Sequence, residues 1–277
     1  MNTQKINTYK TDREFLVKTP IPSTSRTYRP ISHQEVIDLT INSIVGAGFQ
    51  VDKEEYNSAR NGNIATGKYT IKNVADSEMQ LQISWLNSYD KSKRLTWGIG
   101  NQVRICMNGM ISADLGAFKK KHQGNIQEYS PRMIAEYVKR AGNTFEEMQK
   151  EREQMKKIVL SDRDRSTLVG RLFLEEKLLT TTQLNIISRE VECPTYDYGS
   201  KDSVWDFYNH VTLSLKEIHP SLYMETLMDT HKFFVNESGI LESSPTINIP
   251  LDISPRQISL FDEAKEKYNE TLIKLED

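Results

Sequence analysis

The chain has 277 residues and a formal net charge of −2, with 37% hydrophobic and 27% charged residues. This length allows one large domain or two small ones with a buried core, and the near-neutral charge gives no global signal for a nucleic-acid partner. Since no apolar run approaches the roughly 20 residues that span a bilayer, and the first residues lack a signal-peptide core, we expect a cytoplasmic protein of a bacterial host without a membrane partner.

The first predicted elements are an extended arm and a capped helix. Residues 1–30 are polar, and Ser32 followed by Glu35 is typical of a capping box, in which the serine side chain accepts from the Glu35 amide. Apolar residues follow at helical spacing until Gly46 and Gly48, which predict the end of the helix. Three prolines oppose a helix in the arm: Pro20, Pro22 and Pro30.

The next segments predict an antiparallel meander. Asn61-Gly62 is a strong short hairpin signal between two strand candidates. From Met79 to Trp85, apolar and polar side chains alternate, which is the pattern of a half-buried strand. The candidate strands cover residues 49–58, 64–72, 79–85 and 95–105.

The second half of the sequence has helical patterns. Ser130 and Pro131 favour the start of a long helix, as N-cap and first-turn residue. Apolar residues continue on 4-3 spacing from Ile134 to Val159, and only Arg152 interrupts them, so the stripe is typical of core packing. Shorter helices are predicted over residues 162–176, 182–192, 202–217 and 221–235.

These elements predict an α+β fold: a helix followed by an antiparallel β-meander, then a long helix and a mainly helical second half, with a flexible C-terminal tail. The tail is predicted from three prolines and the absence of any periodicity after Glu237. The predicted division is an extended arm (1–30), an α+β meander domain (31–129), a helical region packed on it (130–236), and a flexible linker and tail (237–277).

No pattern predicts an enzyme, a metal site or a cofactor. The five histidines do not fall into metal-ligand spacing with cysteines or carboxylates. The glycine pairs that begin at Gly46 and Gly98 do not continue into a phosphate-binding loop, and a Gly-x-Ser-x-Gly elbow does not occur. Cys106 and Cys193 lie far apart in sequence, so we expect two buried thiols rather than a disulfide.

A basic stretch is the main candidate for binding. From Lys91 to Lys121 the sequence has seven basic residues and one acid, Asp114, with aromatic residues between them. Lysines that neutralise phosphates beside rings that stack on bases would suit single-stranded nucleic acid. The alternative is a solvated basic loop with Phe118 in the core. The predicted nucleic-acid-binding residues are Lys91, Lys93, Arg94, Trp97, Arg104, Phe118, Lys119, Lys120, Lys121 and His122.

Three segments carry a resemblance to a known family: RICMNGM (104–110), FKKKHQGN (118–125) and VWDFYNHVTLSLKEIHP (204–220). They resemble the phage/plasmid-like protein family of unknown function, of the domain-of-unknown-function 932 type. The resemblance implies an origin in mobile elements but no reaction. The family positions would correspond to Arg104, Cys106, Asn108, His122, Trp205 and Asn209, without established roles.

A short motif near the C-terminus carries a second resemblance. Gln257-Ile258-Ser259-Leu260-Phe261 resembles the motif with which bacterial replication and repair proteins bind the β sliding clamp, and it departs from the consensus only at Ile258. In such motifs, two adjacent apolar side chains fill a preformed pocket, and a flexible segment presents them. The alternative is that these residues dock back onto the domain or begin a terminal helix.

Together these patterns predict a phage- or plasmid-encoded DNA-transaction protein. It would bind or anneal single-stranded DNA in replication or recombination, form a homo-oligomer, and be recruited through the sliding clamp. The order of helix, meander and long helix is also similar to the core of ring-forming single-strand annealing proteins, by analogy of topology alone. Two alternatives remain: a non-enzymatic host-interaction protein that targets the clamp or a defence system, and a virion or assembly component.

Overall fold

An antiparallel sheet forms much of the first half of the protein in the computed structural model, which describes residues 9–111, 117–124 and 126–243. The strands are β1 (Lys10–Thr11), β2 (Val51–Ala59), β3 (Ile64–Ala75), β4 (Met79–Ser88), β5 (Leu95–Val103), β6 (Gly109–Ile111) and β7 (Ala117–Lys120). They lie in the order β1-β2-β3-β4-β5-β6, and β7 also pairs with β5. The predicted α+β class is confirmed.

Helices form most of the second half. The α-helices are α1 (Arg13–Lys18), α2 (His33–Gly46), α3 (Ile126–Lys139), α4 (Ala141–Lys157), α5 (Asp162–Gly170), α6 (Thr181–Glu192), α7 (Val204–Ser214) and α8 (Pro220–Ser243). A π-helical turn, Arg171–Glu175, follows α5, and a 3-10 turn, Leu215–Glu217, follows α7. Residues through Ile240 form one compact unit, and a second unit begins at Leu241.

The β2–β3 hairpin lies where the Asn-Gly signal predicted it. Ala59 pairs with Ile64, which leaves residues 60–63 as the turn. In this turn Arg60, Asn61 and Gly62 have φ angles of 51°, 54° and 88°. Because glycine adopts a left-handed backbone without a steric cost and asparagine tolerates it, the sequence fixes the turn locally.

The predicted helix cap is confirmed, but the N-terminal arm is more structured than predicted. The Ser32 side chain accepts from the Glu35 amide at 3.0 Å and begins α2. Within the arm, β1 pairs with β2, and α1 begins where the Asp12 carboxylate accepts from the Phe15 amide at 2.7 Å. Asp12 is therefore an N-cap. The prediction missed this helix because the arm is polar and contains prolines.

The predicted long helix is two helices. α3 begins before Ser130, so Pro131 lies inside this helix rather than at its start. α3 ends near Arg140, whose amide donates to the Tyr137 carbonyl at 3.0 Å in a tight turn, and α4 begins at the next residue. The break lets each helix pack separately: α3 contacts α2, β5 and β7, whereas α4 contacts β5 and α7.

The predicted linker begins too early. Helix α8 continues from Pro220 to Ser243, so residues 237–243 are helical. Glu237 is 7% exposed and forms an ion pair with Arg171 of the π-helical turn, and the Ser238 hydroxyl donates to the Phe234 carbonyl at 2.7 Å. Because Glu237 and Ser238 are buried and bonded, this part of the chain belongs to the folded unit.

An ion pair explains why Arg152 interrupts the apolar stripe. Arg152 is 7% exposed, and its guanidinium lies 2.7 Å from the carboxylate of Asp76, in the turn between β3 and β4. Desolvation alone would raise the pKa of Asp76, but hydrogen bonds from Gln149, Met79, Glu78 and Arg152 lower it to about 2. The pair therefore ties α4 to the sheet.

Candidate functional site

The two faces of the sheet differ in chemistry. Alternate side chains of β2 to β5 form one surface, which we call the apolar face: Tyr56, Tyr69, Ile83, Trp85 and Trp97. On it, the Trp85 indole donates to the Tyr69 hydroxyl at 3.1 Å, and the Trp97 indole donates to the Thr40 hydroxyl of α2 at 3.2 Å. This face is filled by packing.

The opposite surface, which we call the polar face, carries Asn57, Thr66, Lys68, Ser84 and Gln102. A cavity of about 670 Å³ lies against it. Residues of the 3-10 turn and the start of α8 also line this polar-face cavity, among them Lys216, Tyr223 and Met224. The volume is within the range of small-molecule sites.

The floor of the polar-face cavity is buried and polar. Ser84 is 4% exposed and Gln102 is 5% exposed, and both line the cavity. The Ser84 hydroxyl has no hydrogen-bond partner among the described residues. Since buried polar groups are nearly always hydrogen-bonded, this hydroxyl is available to a molecule in the cavity.

Two cations of the cavity lack a carboxylate partner among the described residues. The Lys68 ammonium lies 4.4 Å from the centre of the Tyr223 ring, and the Lys216 ammonium donates to the Cys106 carbonyl. Desolvation lowers the pKa of Lys216, and the charge of Lys68 adds to this effect. A third lysine of the cavity, Lys53, is instead neutralised by Glu55 at 2.9 Å.

The turn before β6 binds Lys216 through the Cys106 carbonyl. Cys106 and Asn108 of this turn are two of the positions named in the family resemblance. The Asn108 side chain donates to the Asn209 carbonyl at 3.0 Å, and the Asn108 amide donates to the Cys106 sulfur at 3.4 Å. Burial raises the pKa of the Cys106 thiol. The turn therefore packs against α7, and its residues Cys106 and Asn108 lie beside Asn209 of that helix. Trp205 lies one turn earlier, and its carbonyl accepts from the Asn209 side chain at 2.9 Å.

The structure brings the two basic segments together on a second surface. Leu95 of β5 pairs with Lys120 of β7, so Arg94 and Lys121 lie at the same end of the paired strands. We call this end of the sheet the basic edge: Lys91, Lys93, Arg94, Lys119, Lys120 and Lys121. Lys119 faces Glu225 of α8 and Lys120 faces Tyr129 of α3, because successive side chains of β7 point to opposite sides of the sheet. Pairing of β5 with β7 therefore joins cations that lie far apart in sequence.

Some charges of the basic edge are already neutralised. Lys93 and Lys119 lie 2.9 Å and 3.6 Å from the carboxylate of Glu225 on α8. Lys91 and Lys120 keep their charge, because their ammonium groups lie over the neutral rings of Tyr28 and Tyr129, at 4.6 Å and 4.2 Å from the ring centres. Arg94 and Lys121 are exposed and have no carboxylate partner among the described residues.

Burial removes three predicted residues from the binding surface. Trp97 is 0% exposed and Phe118 is 8% exposed, and their rings stack on each other with centres 6.1 Å apart, so neither offers a face to a base. His122 is 5% exposed, and burial lowers its pKa to about 4, so it carries no charge at neutral pH. The alternative that placed Phe118 in the core fits this arrangement.

Arg104 and Cys193 also lie where the sequence did not place them. Arg104 is at the far end of β5 from Arg94, roughly 30 Å along the strand, and its guanidinium donates to the Asp76 carbonyl at 2.9 Å. It is therefore separate from the basic edge. Cys106 is buried as predicted, whereas Cys193 is exposed beyond the end of α6.

Several residues of these two surfaces were missed by sequence reasoning. Arg29 is exposed, and its amide donates to the His122 carbonyl at 2.8 Å, which places it beside the basic edge. Lys68, Ser84 and Lys216 are brought to one cavity by strands and a turn that are distant in sequence. In the sequence, Lys68 and Ser84 are visible only as polar residues of strands in which polar and apolar residues alternate. This pattern is also typical of a strand with one solvated face.

The described part of the chain has neither a metal-binding cluster nor a membrane-spanning helix. It contains no group of three or more His, Cys, Asp or Glu side chains that could hold a metal ion. It also contains no helix that is long and apolar enough to cross a membrane. The motif Gln257–Phe261 lies outside the described residues, and its clamp-binding role stays a prediction.

Comparison with known proteins gives one match. Residues 20–230 match the model of a family described as a domain of unknown function, DUF932. No curated protein and no solved structure matches the chain. The matched range includes most of the sheet, the start of α8 and the basic edge, and it excludes the C-terminal motif.

Proposed function

Because this chain belongs to the DUF932 family, which is defined by sequence and not by a reaction, we propose its function from its geometry: it binds single-stranded DNA along the basic edge. One observation carries the proposal. The pairing of β5 with β7 places two basic segments side by side on the surface. Cations concentrated on one surface attract phosphates even when the net charge of the protein is slightly negative.

The charges of the basic edge favour contacts to phosphates rather than to bases. Arg94 and Lys121 project without a carboxylate partner among the described residues, and Lys91 and Lys120 lie over tyrosine rings that leave their charge uncompensated. Since Trp97 and Phe118 are buried, stacking on these rings is not part of the proposal. Binding should therefore be tolerant of sequence and sensitive to salt.

The expected salt dependence follows from the number of cations. If about four phosphates are neutralised, the slope of log affinity against log salt for a single strand is about −3. A protein that anneals or protects single strands would act in the cytoplasm of a bacterial host, on the DNA of a phage or plasmid. Oligomerisation would repeat the basic edge along a strand and increase affinity.

Fluorescence anisotropy of a labelled single-stranded oligonucleotide tests the proposal directly. The full chain is titrated at several salt concentrations and compared with a duplex of the same length. The test variant combines Arg94→Glu and Lys121→Glu. The control variant combines Lys157→Glu and Arg163→Glu, which makes the same change of charge at exposed positions outside the basic edge.

We expect the wild type to prefer the single strand and the test variant to lose at least about tenfold in affinity. The control should lose much less, since only the general charge of the protein changes. Equal losses in the two variants would remove the basic edge from the proposal. No binding by the wild type at low salt would overturn the proposed function.

Recruitment through the C-terminal motif is a separate part of the proposal. Leu260→Ala combined with Phe261→Ala should abolish binding to a purified bacterial sliding clamp, because these two apolar side chains would fill the pocket. Ile258→Leu, which restores the consensus, should retain or strengthen binding. Equal affinities of wild type and double variant would refute recruitment by this motif and leave DNA binding untouched.

A further inference from the structure

The polar-face cavity is a second site, distinct from the basic edge. We propose that it binds a small organic anion, with the carboxylate or phosphate group held between Lys68 and Lys216. The molecule would lie on the polar floor that Ser84 and Gln102 form, and beside the ring of Tyr223. This inference does not depend on DNA binding.

Charge is the first argument. Within the described residues, Lys68 and Lys216 have no carboxylate partner, although both line the same cavity. Two cations that repel each other in a partly desolvated space are unfavourable unless an anion joins them. An anion between them would remove this repulsion and provide charge-assisted hydrogen bonds.

Two carboxylates, Glu55 and Glu217, line the cavity. Glu55 lies opposite Lys68 in the register of β2 and β3, but the ion pair that it forms is with Lys53. This pair, at 2.9 Å, is formed along β2. Lys53 therefore serves as an internal reference: it is a lysine of the same cavity, but its charge is satisfied.

The buried floor is the second, independent argument. The Ser84 hydroxyl is buried, lines the cavity and has no hydrogen-bond partner among the described residues. Leaving a buried polar group unpaired costs about 1–3 kcal/mol. The cost is removed when a molecule with an acceptor or donor occupies the cavity, so the floor is built to receive a polar ligand rather than an apolar one.

Lys216 is held in place by the turn before β6. Its ammonium donates to the carbonyl of Cys106, in a turn where Asn108 is bonded to Asn209 of α7. Met107, the residue between Cys106 and Asn108, has a φ angle of 59° and also lines the cavity. A strained backbone persists only where the surrounding structure enforces it, so the buried Cys106 and Asn108 on either side of the exposed Met107 fix the turn, and with it the lysine, before a ligand arrives.

Isothermal titration of the full chain with inorganic phosphate and, in a separate arm, with succinate tests the proposal. Sodium chloride at matched ionic strength is the reference. We expect saturable binding of one anion per chain, and the stronger arm identifies phosphate or carboxylate as the preferred group. Lys68→Gln and Lys216→Gln should each weaken binding by about tenfold or more, which is the worth of a hydrogen bond to a charged group.

Matched controls separate this site from general charge and from folding. Lys53→Gln should change affinity by less than about threefold, because its partner is Glu55 rather than the ligand. Ser84→Ala should weaken binding while the far-UV circular dichroism stays unchanged. The variant with Arg94→Glu and Lys121→Glu should keep its anion affinity, so that failure of this site and failure of DNA binding remain distinguishable.

Three results would overturn the proposal. The first is the absence of saturable binding of either anion to the wild type at millimolar concentrations. The second is a loss in Lys53→Gln as large as that in Lys68→Gln, since the cavity would then act only through its overall charge. The third is retained affinity in both Lys68→Gln and Lys216→Gln, which would place the anion elsewhere.

Discussion

The apolar and polar faces belong to the same four strands, yet they carry different kinds of residue. On the apolar face, Trp85 lies between Gly67 and Trp97 in register, and a Cβ atom at Gly67 would come within 2.5 Å of the Trp85 ring. On the polar face, the neighbouring Ser84 borders a cavity and has no partner among the described residues. The apolar face is packed by side chains of the described chain, whereas the polar face borders an open cavity.

We therefore expect substitutions on the apolar face to change the free energy of unfolding and substitutions on the polar face to change ligand binding. Close packing makes each large side chain of the apolar face costly to remove, because the space it leaves cannot be refilled. The polar face contributes little packing around its cavity, so its side chains can be selected for a ligand. Substitutions at adjacent positions of one strand should therefore have effects of different size and kind.

Trp85→Ala should give the largest effect, a loss of about 3–5 kcal/mol in the free energy of unfolding, because it opens a cavity in the core. Ser84→Ala, one residue away on the polar face, should not destabilise the protein and should raise its stability by up to about 1–3 kcal/mol, since it removes a buried hydroxyl that makes no hydrogen bond within the described chain. Urea denaturation measures both. A similar loss in the two variants would contradict the distinction between the faces.

Asp76→Asn should cost about 1.5–3 kcal/mol, because it removes the nearest of three carboxylates around the buried guanidinium of Arg152 and leaves Glu153 and Glu78 at 2.8 Å and 3.9 Å. The matched control is Glu147→Gln on the same helix, whose pair with Lys150 is exposed and is expected to contribute less than about 0.5 kcal/mol. Chemical denaturation compares them. A loss no larger than that of the control would mean that Glu78 and Glu153 suffice to neutralise Arg152.

Acid should destabilise the protein through two buried histidines. Burial lowers the pKa of His33 and of His122 to about 4, below the ordinary value of 6.5. Below pH 6.5 the unfolded chain therefore takes up protons that the folded chain does not, and stability falls as the pH decreases toward 4. The expected loss between pH 7 and pH 5 is about 2 kcal/mol for each histidine.

Unfolding free energies measured from pH 7 to pH 5 test this expectation, in a range that lies above the pKa of Asp76. His122→Phe should remove about half of the dependence, because neither nitrogen of the His122 ring has a partner among the described residues. His33 is different, since its Nε2 donates to the Gly62 carbonyl at 2.8 Å and its Nδ1 accepts from Asn87 at 3.0 Å. An unchanged slope in His122→Phe would refute the assignment.

Lys68→Gln should give a small change in stability, less than about 1 kcal/mol, because among the described residues the contact of its ammonium is with the Tyr223 ring. The thermal midpoint without added anion measures this change. Together with a large loss of anion affinity, it would separate ligand binding from folding on the polar face. A loss as large as that of Trp85→Ala would instead make Lys68 part of the packed structure.

Local signals predicted much of the fold. Ser32 with Glu35, Asn61 with Gly62, and the alternation from Met79 to Trp85 each need only neighbouring residues, and the corresponding elements are present. Where the prediction failed, the deciding contact was distant. Arg152 was an unexplained interruption until Asp76, on another element, supplied its partner.

The candidate sites were predicted only in part, for the same reason. The sequence shows that basic residues are frequent near Arg94 and near Lys121. The two segments are adjacent in space only because β5 pairs with β7. An aromatic residue beside lysines has the same pattern whether its ring is exposed or buried. Contacts with Trp97 and with the rings of α3 decide that Phe118 is buried.

The sequence by itself determined the α+β class, the hairpin, the capped helix and the position of the basic segments, because turns, caps and alternation depend on residues a few positions apart. Only the tertiary structure decided which cations are neutralised, which rings are buried, and that Lys68, Ser84 and Lys216 share one cavity. Such properties depend on register and on the packing of α8 over the sheet, since the burial and charge of a side chain are set by neighbours that the local sequence does not contain.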